Sequence, residues 1–128
     1  MAASPVSYLH TEDEFDRVLA EESRSNRLVV LEVGFSYCRP CKAFEPIFKD
    51  VATRYPQHRF LRFNGNENVQ LVHLGRDRLQ IKSTPSFFFF KNGQQVGRTS
   101  GAKEDKFMSA LAEAATASGT SPALPSLP

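Results

Sequence analysis

From Leu28 to Phe35 the chain reads Leu-Val-Val-Leu-Glu-Val-Gly-Phe, a short and nearly continuous apolar run. That is the pattern of a central strand covered on both faces, and Glu32 is its one interior charge. Upstream, a short strand is expected near Val6 to Leu9. Thr11 with Glu14 three residues on forms a capping box, and Phe15, Val18 and Leu19 make an apolar stripe that predicts a helix from Thr11 to about Ser23. Ser23 to Arg27 is a polar break. From Cys41 to about Tyr55, Phe44, Ile47, Phe48 and Val51 recur at spacings of three and four, which predicts an amphipathic helix starting at the cysteines. Pro46 inside it is expected to kink it, because proline lacks the backbone donor and crowds the preceding turn.

Phe60 to Phe63 alternates as a strand, and Asn64 to Asn68 is turn chemistry. A helical stretch then runs through Val69, Val72 and Leu74, is interrupted at Gly75 and resumes around Leu79. Ser86 to Lys91 is a strand with four consecutive Phe, Phe87 to Phe90, and Asn92-Gly93 turns it into a second strand over Gln94 to Thr99. A last helix spans about Lys103 to Ala115 with Phe107, Met108 and Leu111 inward. The predicted order is β-α-β-α-β-α-β-β-α, with helix-joined strands parallel and the hairpin antiparallel. Residues 1–4 read as a flexible start, 5–116 as the folded domain, and the Ser/Pro-rich segment 117–128 as a disordered tail.

Composition narrows the class. At 128 residues with 41% hydrophobic and 23% charged, the chain holds enough apolar surface for one domain without metals or staples. No apolar run reaches the roughly 18–20 residues that span a bilayer, so no membrane partner is expected, and the first residues lack a signal-peptide layout. The 16 Lys and Arg against 14 Asp and Glu leave +2 with no charge blocks, which gives nucleic acid binding little support. The Phe run is read as the two covered faces of a central strand in preference to a base-stacking platform. Arg76-Asp77-Arg78 reads as a solvated helix face, with partner binding as its alternative.

Eleven Phe, no Trp and only two Cys remain to be explained. Cys38 and Cys41 would close too small a loop to contribute much stability, so their spacing suggests chemistry. At a strand-to-helix junction the first thiol faces the unpaired amides of the helix start, which favours its thiolate and makes Cys38 the nucleophile. Cys41, one turn further in, is placed to attack a mixed disulfide at Cys38. Arg39 adds positive charge, and Pro40 fits the first turn, where no donor is needed. The alternatives are inert core thiols or a zinc half-site. With no other Cys and with His10, His58 and His73 scattered, no metal is expected.

Phe35-Ser-Tyr-Cys-Arg-Pro-Cys-Lys42, Pro46, Thr84-Pro85 ahead of a strand, and Lys91-Asn-Gly93 followed by Gly101-Ala102 resemble the thioredoxin family over roughly Val6 to Ala115. The resemblance implies an α/β thioredoxin fold, a central mixed β-sheet flanked by helices. It implies a cis Pro85 that sets Thr84 beside the cysteines, with Tyr37, Thr84, Pro85 and Gly101 contacting substrate. Tyr37 stands where the family usually has Trp, and Arg39-Pro40 replaces Gly-Pro between the cysteines. Glu32, six residues before Cys38, falls where the family keeps a buried Asp. It is a candidate to take the Cys41 proton, its pKa raised by burial, or else a structural partner of Arg62, the counterpart of the family's Lys.

The function expected from the resemblance is reduction of protein disulfides by dithiol exchange at Cys38 and Cys41. It would use no bound cofactor, a separate reductase or thiol donor, and a monomeric protein. The alternatives are a redox-sensitive adaptor with weak turnover and a more oxidising oxidase or isomerase. Two cysteines committed to one site suit a reducing compartment. Phe60-Leu-Arg-Phe-Asn-Gly-Asn-Glu-Asn68 with Thr84-Pro-Ser-Phe-Phe-Phe-Phe90 is similar to plant and algal plastid thioredoxin-like proteins. That similarity places the expected location in the chloroplast stroma, or otherwise the cytoplasm.

Overall fold

The structure, a computed structural model, describes residues 4–117. Most of the expected flexible start (1–3) and of the expected tail (118–128) lies outside the described residues. Within them the elements run β1 (Val6–Tyr8), α1 (Glu12–Ser25), β2 (Val29–Gly34), α2 (Arg39–Arg54), β3 (Arg59–Asn64) and α3 (Val69–Val72). A π-helical turn (His73–Arg78) follows, then β4 (Ser86–Lys91), β5 (Gln94–Ser100) and α4 (Glu104–Thr116). The five strands form one sheet in the order β1-β3-β2-β4-β5.

Local chemistry accounts for most element ends. Thr11 Oγ1 accepts from the Glu14 amide at 3.1 Å while the Glu14 carboxylate accepts from the Thr11 amide at 3.3 Å, so the capping box forms as the sequence predicts. Asn26 ends α1 in the left-handed region at φ 61°. Asn92 and Gly93 have φ of 53° and 79°, the paired positive values that a tight two-residue hairpin requires. α2 continues through Pro46 to Arg54.

Three expectations are corrected. α2 begins at Arg39, ahead of Cys41, because Cys38 itself caps it. The helical stretch is not broken at Gly75. It widens into the π-helical turn, in which the Leu79 amide donates to the Leu74 carbonyl at 2.8 Å. Gly75 is buried there, and a Cβ on it would meet Ile81 Cδ1 at 3.4 Å. Most consequential is the direction of β4. Although a helix connects it to β3, β4 pairs antiparallel to β2, with Ser86 opposite Val33. The connection crosses the end of the sheet instead of running back along it, so β4 enters at the end where β2 and β3 finish. The other helix-joined strands, β1, β2 and β3, are parallel.

The sheet separates two cores. Val30, Phe60, Phe87 and Phe89 face α2 and α4 and pack on Phe44, Phe48, Phe107 and Leu111. Leu31, Val33, Leu61, Phe63, Phe88 and Phe90 face the other way, onto Phe15, Val18, Leu71 and Leu74. The Phe run is therefore core on both faces. In α4 the buried stripe is Phe107, Leu111 and Ala114, with Met108 only half-buried at its edge. Arg78 is not a free solvated charge: it pairs with Glu12 at 2.8 Å and lies over the Phe15 ring at 5.3 Å. No helix among the described residues is long and apolar enough to cross a membrane.

Candidate active site

Cys38 leaves the sheet at the carboxyl end of β2 and caps α2, its sulfur accepting from the Cys41 amide at 3.1 Å. Pro40 sits in the first turn, where its missing N–H leaves nothing unpaired. No acidic residue lies in that turn, and Arg39 is exposed beside it, so the helix start is uniformly positive. The two sulfurs are joined as a disulfide across a Cα separation of 5.2 Å. Cys38 retains 8% exposure against 1% for Cys41, which makes Cys38 the accessible member.

The Thr84–Pro85 peptide is cis, and Thr84 Oγ1 donates to Cys38 Sγ at 3.3 Å. Gly101 donates its amide to the Pro85 carbonyl at 2.9 Å and has φ 96°, a conformation that favours glycine. Thr84, Pro85 and Gly101 thus form one rim beside the sulfurs. Tyr37 forms part of the other. It is 71% exposed, and its ring lies 5.4 Å from that of Phe35.

Glu32 and Arg62 are register partners on β2 and β3, facing the α2 side of the sheet. Arg62 Nη1 stands 3.0 Å from Glu32 Oε2, an ion pair whose N–H is poorly aimed, so that neither Glu32 oxygen has a hydrogen bond among the described residues. Arg62 Nη2 donates instead to Asn64 Oδ1 at 2.8 Å. Burial pushes the Glu32 pKa up to about 7, with Arg62 pulling against it. The Arg62 charge thus tempers the effect of burial without cancelling it.

Sequence reading missed several contributors. Gly34 makes room for the guanidinium: a Cβ there would stand 2.7 Å from Arg62 Nη2. Asn66 clasps the loop before Cys38, accepting from the Ser36 amide at 3.0 Å and donating to Ser36 Oγ at 2.8 Å. Tyr8 donates to Glu45 at 3.0 Å and stacks on Arg62 at 5.9 Å, over a small cavity that reaches Glu32. A glycine after a strand acid and an asparagine in a turn carry no local signature of these contacts. Among the described residues no His, Cys, Asp and Glu cluster is placed to hold a metal ion.

A neighbouring cysteine pair at a positive helix start, opposite a cis-proline loop, defines a thiol–disulfide oxidoreductase. Residues 6–113 match the thioredoxin family model, and the chain belongs to that family, whose members act on protein disulfides. It is 29% identical over 113 residues to thioredoxin H4-1 of Oryza sativa subsp. japonica, an alignment covering 86% of this chain and 83% of that one. A poplar thioredoxin h structure superposes at TM-score 0.80 with 27% identity, covering 89% of this chain and 99% of that one. The short form of thioredoxin f from spinach chloroplast gives 0.76 at 29% identity, covering 91% and 100%.

Proposed function

We propose that Cys38 is the attacking thiolate and Cys41 the resolving thiol of a protein-disulfide reductase contained in residues 5–116. The observation that carries this division is the pair of donors converging on Cys38 Sγ, the Cys41 amide and the Thr84 hydroxyl, together with its greater exposure. In the reduced protein those donors would stabilise a thiolate at Cys38. The thiolate attacks one sulfur of a client disulfide, the second client sulfur leaves as thiolate and takes a proton, and a mixed disulfide forms. Cys41 then gives up its proton and attacks Cys38 Sγ, which releases the client dithiol and leaves the Cys38–Cys41 disulfide.

Glu32 is proposed to accept the Cys41 proton, directly or through one water. Its pKa of about 7 lies near enough to that of a thiol for transfer to proceed in either direction. Arg62 positions and tempers Glu32. Arg39 adds positive charge at the nucleophile, and Pro40 shapes the first turn. Tyr37, Thr84, Pro85 and Gly101 receive the client backbone. The balance requires two electrons per turnover, so a separate reductase or thiol donor must restore the dithiol. A monomer suffices, since every group named lies in one chain.

The compartment is proposed to be one that keeps thiols reduced, first the plastid stroma, on the similarity to the spinach chloroplast protein. A fluorescent fusion found only outside plastids would move it to the cytoplasm. For the chemistry, Cys38→Ser is expected to abolish reduction of an insulin-type disulfide substrate, and Cys41→Ser to accumulate covalent client adducts. Full turnover by Cys38→Ser would overturn the assignment.

A further inference from the structure

Beside the cis-proline rim lies a concavity of about 310 Å³ lined by Lys82, Ser83, Ser86, Arg98, Thr99, Ser100 and Lys106. Its charges come from three separate parts of the fold. Lys82 belongs to the segment before Pro85, Arg98 to β5, and Lys106 to the first turns of α4. No carboxylate lines it, although the chain as a whole is almost balanced at +2. The acids of that part of α4, Glu104 and Asp105, are not among its walls.

Two of these cations are unengaged and the third is held in place. Neither Lys82 nor Lys106 makes an ion pair among the described residues, whereas Arg27, Arg59, Arg62 and Arg78 all do. Arg98 donates to the Leu79 and Gln80 carbonyls at 3.2 and 3.3 Å and lies 4.7 Å over the Phe88 ring. These contacts fix its guanidinium and still leave N–H groups unused. Ser83, Thr99 and Ser100 add hydroxyls. A preorganised guanidinium, two unpaired ammonium groups and several hydroxyls around one hollow are a receptor for carboxylate oxygens.

Position decides which carboxylates can arrive. Lys82 precedes Thr84 by two residues, so its Cα lies within about 7 Å of the Cα of Thr84, and the Thr84 hydroxyl touches Cys38. Ser86 and Ser100 are paired across β4 and β5 at the end of the sheet that carries the cysteines. We infer that this hollow is a specificity subsite that takes an acidic segment of the client protein flanking its reactive disulfide. The inference rests on the proposed dithiol exchange and names which clients that exchange favours. Oppositely charged groups here raise the encounter rate and the retention of acidic clients without touching the sulfur chemistry.

The experiment uses the full chain, reduced, and two synthetic disulfide peptides identical except for Glu or Gln residues flanking one cysteine. At low ionic strength wild type is expected to reduce the acidic peptide several-fold faster in kcat/KM. The double variant Lys82→Glu, Lys106→Glu should lose about tenfold on the acidic peptide and nothing on the neutral one. The neutral peptide also reports that the variant is folded. The wild-type preference should shrink toward unity at 0.5 M salt, since screening shortens the reach of exposed charges to within about 4–5 Å.

Equal rates on both peptides in wild type, or a loss in the variant that is the same for both, would overturn the subsite while leaving the exchange mechanism intact. Reduction of neither peptide by wild type would instead count against the proposed function itself.

Discussion

Glu22 and Glu32 are carboxylates with almost no exposed surface, 6% and 0%, yet their surroundings drive them in opposite directions. At the end of α1, Glu22 accepts from Ser25 Oγ at 2.6 Å, Arg27 Nη1 at 3.1 Å and Arg59 Nη1 at 3.0 Å. Burial pushes its pKa up, but Ser25, Arg59 and Arg27 together outweigh burial and hold it below the ordinary value. Glu32 has one guanidinium at 3.0 Å and no hydrogen bond to either oxygen, so burial wins and its pKa rises to about 7. A nearby opposite charge is therefore not sufficient: the donors aimed at the carboxylate decide. The first glutamate stays charged and ties α1 to β3. The second can change protonation near neutral pH, which the proton-accepting role proposed for it requires.

The pH dependence of stability should break this contrast most visibly. In the unfolded chain Glu32 ionises near 4.5, and in the folded protein near 7. Between those values the folded state holds the extra proton. Its contribution is thus most favourable below pH 4.5, declines as pH rises to about 7 and is level beyond. The decline amounts to about 3 kcal/mol. In urea unfolding at a series of pH values, Glu32→Gln should lack that decline, so its stability relative to wild type rises from pH 4.5 to 7. A flat difference between the two proteins across that range would remove Glu32 from the set of groups that titrate near neutrality.

Glu22→Gln should run the other way and with smaller amplitude. The lowered folded pKa of Glu22 means that its stabilisation is complete above the unfolded value near 4.5 and is lost as pH falls through the folded value. At pH 7 the variant should be about 2 kcal/mol less stable than wild type, the scale of hydrogen bonds to a charged group. The deficit should shrink in acid. A variant equally destabilised at pH 3 and pH 7 would mean that Glu22 acts by packing instead of by charge.

The contrast also shows what a sequence can carry. The Thr11 and Glu14 cap, the Asn92-Gly93 turn and the two-faced Phe run are local patterns whose physics is complete within a few residues, and all three form as read. Cys38, Cys41 and the Thr84-Pro85 rim were legible through ordered motifs. Glu22 was not singled out, because one of its donors, Arg59, comes from a strand 37 residues away. Gly75 read as a break because the neighbours that make its lack of a side chain useful, Ile81 and Phe63, are brought there only by the fold. The direction of β4 depends on where in space the α3 connection ends, which no periodicity reports. Glu32 and Arg62 were paired by resemblance, but the misalignment of that pair, which leaves the carboxylate without hydrogen bonds at an N···O separation of 3.0 Å, is a matter of how the N–H is aimed, which no sequence pattern reports.

That misalignment gives the smallest and most specific prediction, through Gly34. A methyl group at Gly34 would stand 2.7 Å from Nη2 and 2.9 Å from Nη1 of Arg62, closer than the atoms allow. The guanidinium is buried and held on one side by Asn64 Oδ1, so in Gly34→Ala it must move as a unit. Movement away from β2 lengthens its approach to Glu32 while the burial of Glu32 is unchanged. The attraction that tempers the carboxylate weakens, and its midpoint should rise by about half a unit, roughly 0.7 kcal/mol. Glu22 shares no contact with this group and should titrate as before. Carboxyl-carbon NMR titration of wild type and Gly34→Ala reads both glutamates at once. A downward shift of Glu32 would mean that the methyl drives the guanidinium onto the carboxylate and completes the hydrogen bond that wild type lacks. The raised pKa would then belong to the position of the guanidinium, and burial of the strand would no longer suffice to explain it.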